Sequence, residues 1–358
     1  NLEPPYIMKK IITKITYAAE NRFDALTQDL SDRLMADGRV HIHPYRGFGN
    51  QDKIFLRGRV LRDKQIPKAQ DEDNFVKNLL HVWQHITSDE LPNVRVLAEI
   101  GGLKKVFTTD EEGYFVVEME NPGLPADRIW HKIKLELIDR PDDPPVTAFG
   151  EIIVPLKGPA GAQFGIISDI DDTVLQSKAT NYLAAASLMF FKNAKTRLPF
   201  DGVAELYQAL HNKEKNPIFF VSSSPWNLHD LLTDFFKYQA IPKAPLFLVD
   251  YGFSADQFIK PGHGEHKLHQ IEMILAMYPH LNFILMGDSG QHDPEIYRQV
   301  IDQNPGRILA AYIRDVTNEP RDHEVLQIAA EVTASGTDML LASDSAIIES
   351  HAKTREWV

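Results

Sequence analysis

FGIISDIDDTV (residues 164–174) decides how the second half of the chain is read. An apolar run of strand length opens directly onto Asp169, Asp171, Asp172 and Thr173. That is the pattern of a buried strand whose carboxyl end carries acids. Moving outward, further apolar runs at 217–221, 246–249, 282–286 and 308–313 alternate with helical patterns near 202–213, 226–239, 266–278, 294–303 and 322–333. Strands alternating with helices predict an α/β unit with a parallel sheet covered on both faces. In such sheets, ligands bind beyond the carboxyl ends of the strands. IFFV is followed by Ser222, Ser223 and Ser224; NFILMG is followed by Asp288 and, five residues on, by Asp293. GEHKLHQIEMIL (264–275) supplies Lys267 at the start of an amphipathic helix. Acids, hydroxyls and a lysine are thereby expected on one edge of one sheet.

The first half has a different texture. Ile12, Ile15, Ala19, Phe23, Leu26, Leu30 and Leu34 recur at helical spacing, predicting an amphipathic helix over 1–38 that ends at Ala36-Asp37-Gly38. From 39 onward short strands follow one another: IFLRGRVL (54–61), VRVLAEI, LKKVFTT, YFVVEME, HKIKLELI and TAFGEIIVP, with one helix near 72–87. Regularly spaced strands predict a β-sandwich of immunoglobulin or prealbumin type over 39–158. Asp110-Glu111-Glu112-Gly113 has the composition of a hairpin turn. Arg57, Arg59 and Arg62 are expected on the exposed side of a strand. The Gly/Pro-rich KGPAGAQ (157–163) reads as linker, and the α/β unit is placed at 159–358.

Composition removes several classes. With no cysteine among 358 residues there are no disulfides, thiolate metal sites or cysteine nucleophiles. The net charge is -12, divided as -3 over residues 1–150 and -9 over 151–358. A nucleic-acid partner requires a basic footprint and is not expected. No apolar run reaches membrane-spanning length, and no signal-peptide pattern opens the sequence, so a cytoplasmic protein is expected.

The run SDIDDTV resembles the first motif of haloacid-dehalogenase-superfamily phosphatases, VSSSP the second, Lys267 the third and GDSGQHD the fourth. VSSSPWNL, the His266-Lys267 pair, GDSGQHDPEIY and YIRDVT are similar to the catalytic domain of actin-patch-associated phosphatidate phosphatases. YRGFGNQDKIFLRGRVL and TTDEEGYF upstream resemble the bacterial members of that family. The resemblance implies a haloacid-dehalogenase-like Rossmannoid sheet and a Mg²⁺-dependent phosphomonoester hydrolase. Asp169 is then the nucleophile and Asp171 the general acid/base. Asp169, Asp288 and the Asp171 carbonyl are metal ligands, with Asp293 acting directly or through a water. Ser222 holds a phosphate oxygen and Lys267, favoured over Lys260, offsets its charge. Ser223, Ser224, Trp226 and Arg314 are candidate substrate contacts. Asp172 is read as structural, Thr173 as a cap of the following turn, and His263, His266 and His269 as a solvated loop. In this superfamily the segment 177–200 forms a cap, here a small one carrying Leu188, Met189, Phe190 and Phe191. The implied substrate is a phosphate ester, with phosphatidate as the lipid case and weak peripheral membrane contact. Phosphoprotein, sugar-phosphate and nucleic-acid-end phosphatases remain alternatives, as does an interaction protein with a decayed site. The partner of the β-unit is left open.

Overall fold

The computed structural model describes residues 40–62, 89–139, 145–156, 161–175, 200–249, 263–317 and 319–358. The expected helices at 1–38 and 72–87, the cap at 177–200 save its last residue, and Lys260 lie outside the described residues.

Nine strands occupy the first part: β1 (Val40–Pro44), β2 (Gly47–Gly49), β3 (Lys53–Arg62), β4 (Asp89–Glu90), β5 (Arg95–Ile100), β6 (Leu103–Thr108), β7 (Tyr114–Glu120), β8 (Trp130–Leu137) and β9 (Thr147–Ile153). Alternation drives them. In β8, Ile133, Leu135 and Leu137 are buried while Lys132 faces outward, and Val96, Ala98 and Ile100 of β5 do the same. Hydrogen bonds join all nine strands into one network. Strand β3 is its centre: one of its edges pairs with β1 and then β2, the other with β7 and then β4. The turn at 110–113 forms as its composition predicts. Asp110 Oδ1 accepts from the amides of Glu112 and Tyr114, and Gly113 takes φ +75°. It does not make a hairpin, however, because β6 pairs with β5 whereas β7 pairs with β3. Turn chemistry is local; the choice of pairing partner is not.

Arg59 and Arg62 are buried rather than solvent-facing. The Arg57 and Arg59 guanidiniums lie 4.0 and 4.4 Å from the Tyr114 ring centroid, and Arg59 Nε donates to the Glu112 carbonyl. Aromatic faces and a carbonyl make burial of these cations tolerable.

The second part is a six-stranded, wholly parallel sheet of β10 (Gly165–Ser168), β11 (Ile218–Pro225), β12 (Leu246–Val249), β13 (Phe283–Asp288), β14 (Ile308–Arg314) and β15 (Asp338–Ala342), in the order β12-β11-β10-β13-β14-β15. Its helices are α1 (Val203–His211), α2 (His229–Tyr238), α3 (His263–Met277), α4 (Asp293–Gln303), α5 (Glu319–Ala334) and α6 (Ser345–Thr354). The period of two assigns each strand residue to a face. Ile166, Phe220, Ile284 and Tyr312 share a core with α1, α2 and α6. Their neighbours Ile167, Phe219, Leu285 and Ala311 share the opposite core with α3, α4 and α5. Strand order reverses beside β10: the chain leaves it toward β11 and β12, then returns to its other side at β13. A crevice opens beyond the strand ends at such a reversal.

The two parts pack on each other. Tyr45 and Tyr114 enter the first of these cores, while Phe48 and Ile153 enter the second. Asn50 Nδ2 donates to the Met277 carbonyl at 2.8 Å, and Lys243 pairs with Glu151 at 3.0 Å.

Candidate active site

At the reversal, β10 ends and the Asp169 amide donates to the Met286 carbonyl of β13 at 2.8 Å. This bond extends the ladder by one residue and fixes the Asp169 backbone at the crevice floor. The carboxylate is 2% exposed. Lys267, on the first turns of α3 and equally buried, lies 2.9 Å from Asp169 Oδ1 and also bonds Asp293 Oδ1. Asp293 opens α4 and accepts the Asp288 amide through Oδ2 at 3.1 Å. Asp288, the last residue of β13, uses Oδ1 to accept from the amides of Gly290 and Gln291 at 2.7 and 2.9 Å.

Asp169, Asp288 and Asp293 each bring a carboxylate oxygen within 4.8 Å of the others. One lysine cannot balance three buried carboxylates. Burial, partly offset by Lys267 and reinforced by the neighbouring acids, pushes Asp169 well above the usual carboxylate range. Burial and then Asp293 push Asp288 up to about 7. Burial would depress Lys267, but Asp169 and Asp293 outweigh it and hold the ammonium protonated. Asp169 Oδ2 and Asp288 Oδ2 are buried and have no hydrogen-bond partner among the described residues. Buried oxygens without partners, net negative charge and an all-oxygen donor set fit a hard divalent cation such as Mg²⁺.

Asp171 stands apart from this cluster and is half-buried. Its Oδ2 accepts from the hydroxyls of Ser222 and Ser224 at 3.0 and 3.1 Å, and the Ser224 amide donates to Ser222 Oγ at 2.9 Å. Two hydroxyls on the β11 end thus fix one carboxylate beyond the β10 end. Ser223 is half-buried beside them. The loop turns at Asp172, which takes φ +56°, and closes with the Asp172 amide on the Leu175 carbonyl. Short polar side chains tolerate that left-handed conformation.

Other expected residues take places of a different kind. Thr173 Oγ1 is buried without a partner among the described residues, so it does not act as the predicted cap. Its carbonyl instead accepts from Arg314 Nε, whose guanidinium also donates to Ser345 Oγ and lies over Phe200. Arg314 is 3% exposed and ties the Asp171 loop to α6. The Trp226 indole packs against Tyr45 and Arg57 of the N-terminal sheet. His263, His266 and His269 lie on helix α3, not on a loop. His43 and His229 both face Asp230 Oδ1, at 3.0 and 2.9 Å.

Sequence reasoning passed over Gly287. A Cβ there would sit 2.3 Å from Asp293 Oδ2, so the approach of Asp293 to the β13 end requires glycine. The Gly-Asp step before a distant second acid was the available signal. Ser168, bonded to Tyr207 and donating to the Asp169 carbonyl, carried no signal beyond its place in the strand.

Comparison with known proteins follows the same residues. The family described as phosphatidate phosphatase APP1, catalytic domain, matches residues 164–315. Phosphatidate phosphatase APP1 of Saccharomyces cerevisiae is 31% identical over 250 residues, 67% of this chain and 41% of that protein. An uncharacterized protein of Schizosaccharomyces pombe is 25% identical over 261 residues, 70% of this chain and 42% of that one. The chain therefore spans about two fifths of the length of these curated relatives. Among solved structures, a sialyltransferase from Photobacterium damsela aligns with a TM-score of 0.22 at 10% identity, over 84% of this chain and 52% of that one, a level that carries no argument. Residues 164–315, where every acid of the crevice falls, are the part of the chain that matches the phosphatidate phosphatase APP1 catalytic-domain family.

Proposed function

We propose that the chain is a Mg²⁺-dependent phosphomonoester hydrolase of haloacid-dehalogenase type, with phosphatidate as substrate. The catalytic unit is residues 159–358, preceded by a β-sandwich unit over 39–158. The observation that carries the reading is the unpartnered Asp169 Oδ2, buried beside Lys267 and beside the equally unpartnered Asp288 Oδ2. In this mechanism Asp169 Oδ2 attacks phosphorus and forms an aspartyl-phosphate while the bond to the leaving alcohol breaks. Asp171 gives that alcohol its proton. Asp171 then takes a proton from water, whose oxygen attacks phosphorus. Inorganic phosphate leaves, and both carboxyl groups return to their starting states. Asp169, Asp288, the Asp171 carbonyl and Asp293 would hold a magnesium ion, which would offset the charge of carboxylates and phosphate together. Ser222 and Lys267 contact the phosphate oxygens, and Ser223 and Ser224 line their approach.

The lipid assignment rests on similarity to the yeast phosphatidate phosphatase. No described helix is long and apolar enough to cross a membrane. The test compares kcat/KM for phosphatidate in mixed micelles with that for sugar, nucleotide and peptide phosphates, with and without Mg²⁺. Phosphate and diacylglycerol release that requires Mg²⁺ is expected. A soluble ester preferred by a hundredfold would remove the lipid reading, and full activity in excess chelator would remove the metal.

A further inference from the structure

The segment that holds Asp171 runs directly into the junction between the two parts of the molecule. Strand β11 ends at Ser222, Ser223, Ser224 and Pro225, and a short turn then places Trp226. Trp226 is 9% exposed, and its ring centroid lies 4.5 Å from that of Tyr45. The Arg57 guanidinium lies 5.0 Å from the Trp226 centroid and 4.0 Å from that of Tyr114. Tyr45, in the connection between β1 and β2, is tied to Arg57 of β3, because its amide donates to the Arg57 carbonyl at 2.9 Å. Indole Nε1 is buried with no hydrogen-bond partner among the described residues, so ring contacts locate this side chain. Only Pro225 separates Trp226 from Ser224, one of the two hydroxyls that hold Asp171 Oδ2.

We propose that Arg57 and Tyr45, on the N-terminal sheet, are positioning residues for Asp171 and act through Trp226 and the Ser222–Ser224 segment. The inference rests on the phosphatase reading and deepens it by giving the N-terminal sheet a part in the chemistry. Cation–π attraction is directional and strengthens when water is excluded. Arg57 clamps the indole from one side and Tyr45 packs against it, which fixes the short segment leading back to Ser224. Proline restricts the intervening backbone. Loosening the clamp lets the two hydroxyls drift, and Asp171 with them. Asp169 follows β10, Lys267 lies on α3, Asp288 ends β13 and Asp293 opens α4, and none of them makes contact with this segment through the bonds described above.

A displaced general acid has a signature that general damage lacks. Protonation matters most for a poor leaving group and little for an activated one. The full chain is assayed as wild type, Arg57→Leu, Arg57→Lys and Asp171→Asn, with p-nitrophenyl phosphate and with glycerol phosphate. Arg57→Leu should lower kcat/KM, which reports formation of the phosphoenzyme, about tenfold on the alkyl ester and less than about twofold on the aryl ester, a part of the roughly 10²–10⁴-fold that general-acid catalysis contributes. KM should hold, and Arg57→Lys should recover at least half of the lost alkyl rate by restoring a cation. Arg57→Gln replaces the leucine variant if that one does not fold, and Tyr45→Leu should repeat the leaving-group pattern. Equal losses on both esters, or none on either, overturn the proposal. If Asp171→Asn discriminates the esters and the Arg57 variants do not, only this inference fails. If Asp171→Asn itself does not discriminate, the acid/base assignment fails first and carries this inference with it.

Discussion

The Asp288→Asn substitution should stabilise the metal-free protein at neutral pH while abolishing its activity. Asp288 Oδ1 accepts two backbone amides, and an asparagine oxygen can keep both. Oδ2 is the buried atom without a partner, and an amide nitrogen there removes the negative charge. Burial and Asp293 raise the native-state group to about 7, against about 3.9 in an unfolded chain. Between those values the native protein holds a proton that the unfolded chain has lost. The slope of stability with pH is therefore negative. The contribution is full below about pH 4 and lost as pH rises through about 7. Three pKa units at 1.36 kcal/mol each amount to about 4 kcal/mol as an order of magnitude. Asp169, raised by burial and by the same neighbours, adds a slope of the same sign.

Urea or thermal unfolding of wild type and Asp288→Asn in excess chelator, from pH 4 to pH 8, measures the difference and cancels the other titrating groups. Asparagine should gain on wild type as pH rises, reaching about 8–16 °C in Tm at roughly 2–4 °C per kcal/mol. Added Mg²⁺ should reverse the order at pH 8, because only wild type offers the second carboxylate to the cation. A difference that is flat with pH, or one that favours wild type in chelator at pH 8, refutes the electrostatic account of the cluster.

Three further outcomes follow from the same geometry. Asp169→Asn should fold and reduce turnover on the order of 10⁴-fold, as loss of a nucleophile does; a folded variant retaining a few per cent of activity would exclude that role. Lys267→Met leaves Asp169 and Asp293 without their shared cation and should cost about 3–5 kcal/mol at pH 8. Urea unfolding should show most of that loss recovered at pH 4, and a pH-independent loss would indicate packing instead of charge. Gly287→Ala would place a methyl group 2.3 Å from Asp293 Oδ2 and should cost about 1–3 kcal/mol with a raised Mg²⁺ requirement. An unchanged Mg²⁺ titration of its activity would show that Asp293 plays no part in metal binding.

The strands and helices of the parallel sheet were legible because each is coded locally. An apolar run of strand length followed by a helical period can be read without its neighbours, and β10 to β14 with α1 to α5 fall where those patterns lie. Parallel strands point the same way, so residues that follow separate apolar runs converge on one edge. That is why Asp169, Ser222 and Asp288 could be placed together from spacing alone, with Lys267 and Asp293 brought in by the helices that follow. The last pair, β15 and α6, was missed: β15 spans five residues of mixed burial and carries no clean period.

Tertiary structure decided what depends on distant partners. It gave β7 to β3 instead of to β6, although the turn between β6 and β7 has hairpin chemistry, because pairing is chosen by the core that both strands bury. It buried Arg59 and Arg62, which were expected on the exposed side of a strand, and met Arg59 with the Tyr114 ring and the Glu112 carbonyl. It set Tyr45 and Arg57 against Trp226 across 169 to 181 positions of sequence, a contact with no local signature. Within the crevice, residue types were a property of the sequence. The two unpartnered carboxylate oxygens, and the negative charge around them, arise only when three acids and one lysine from four elements are closed off from water.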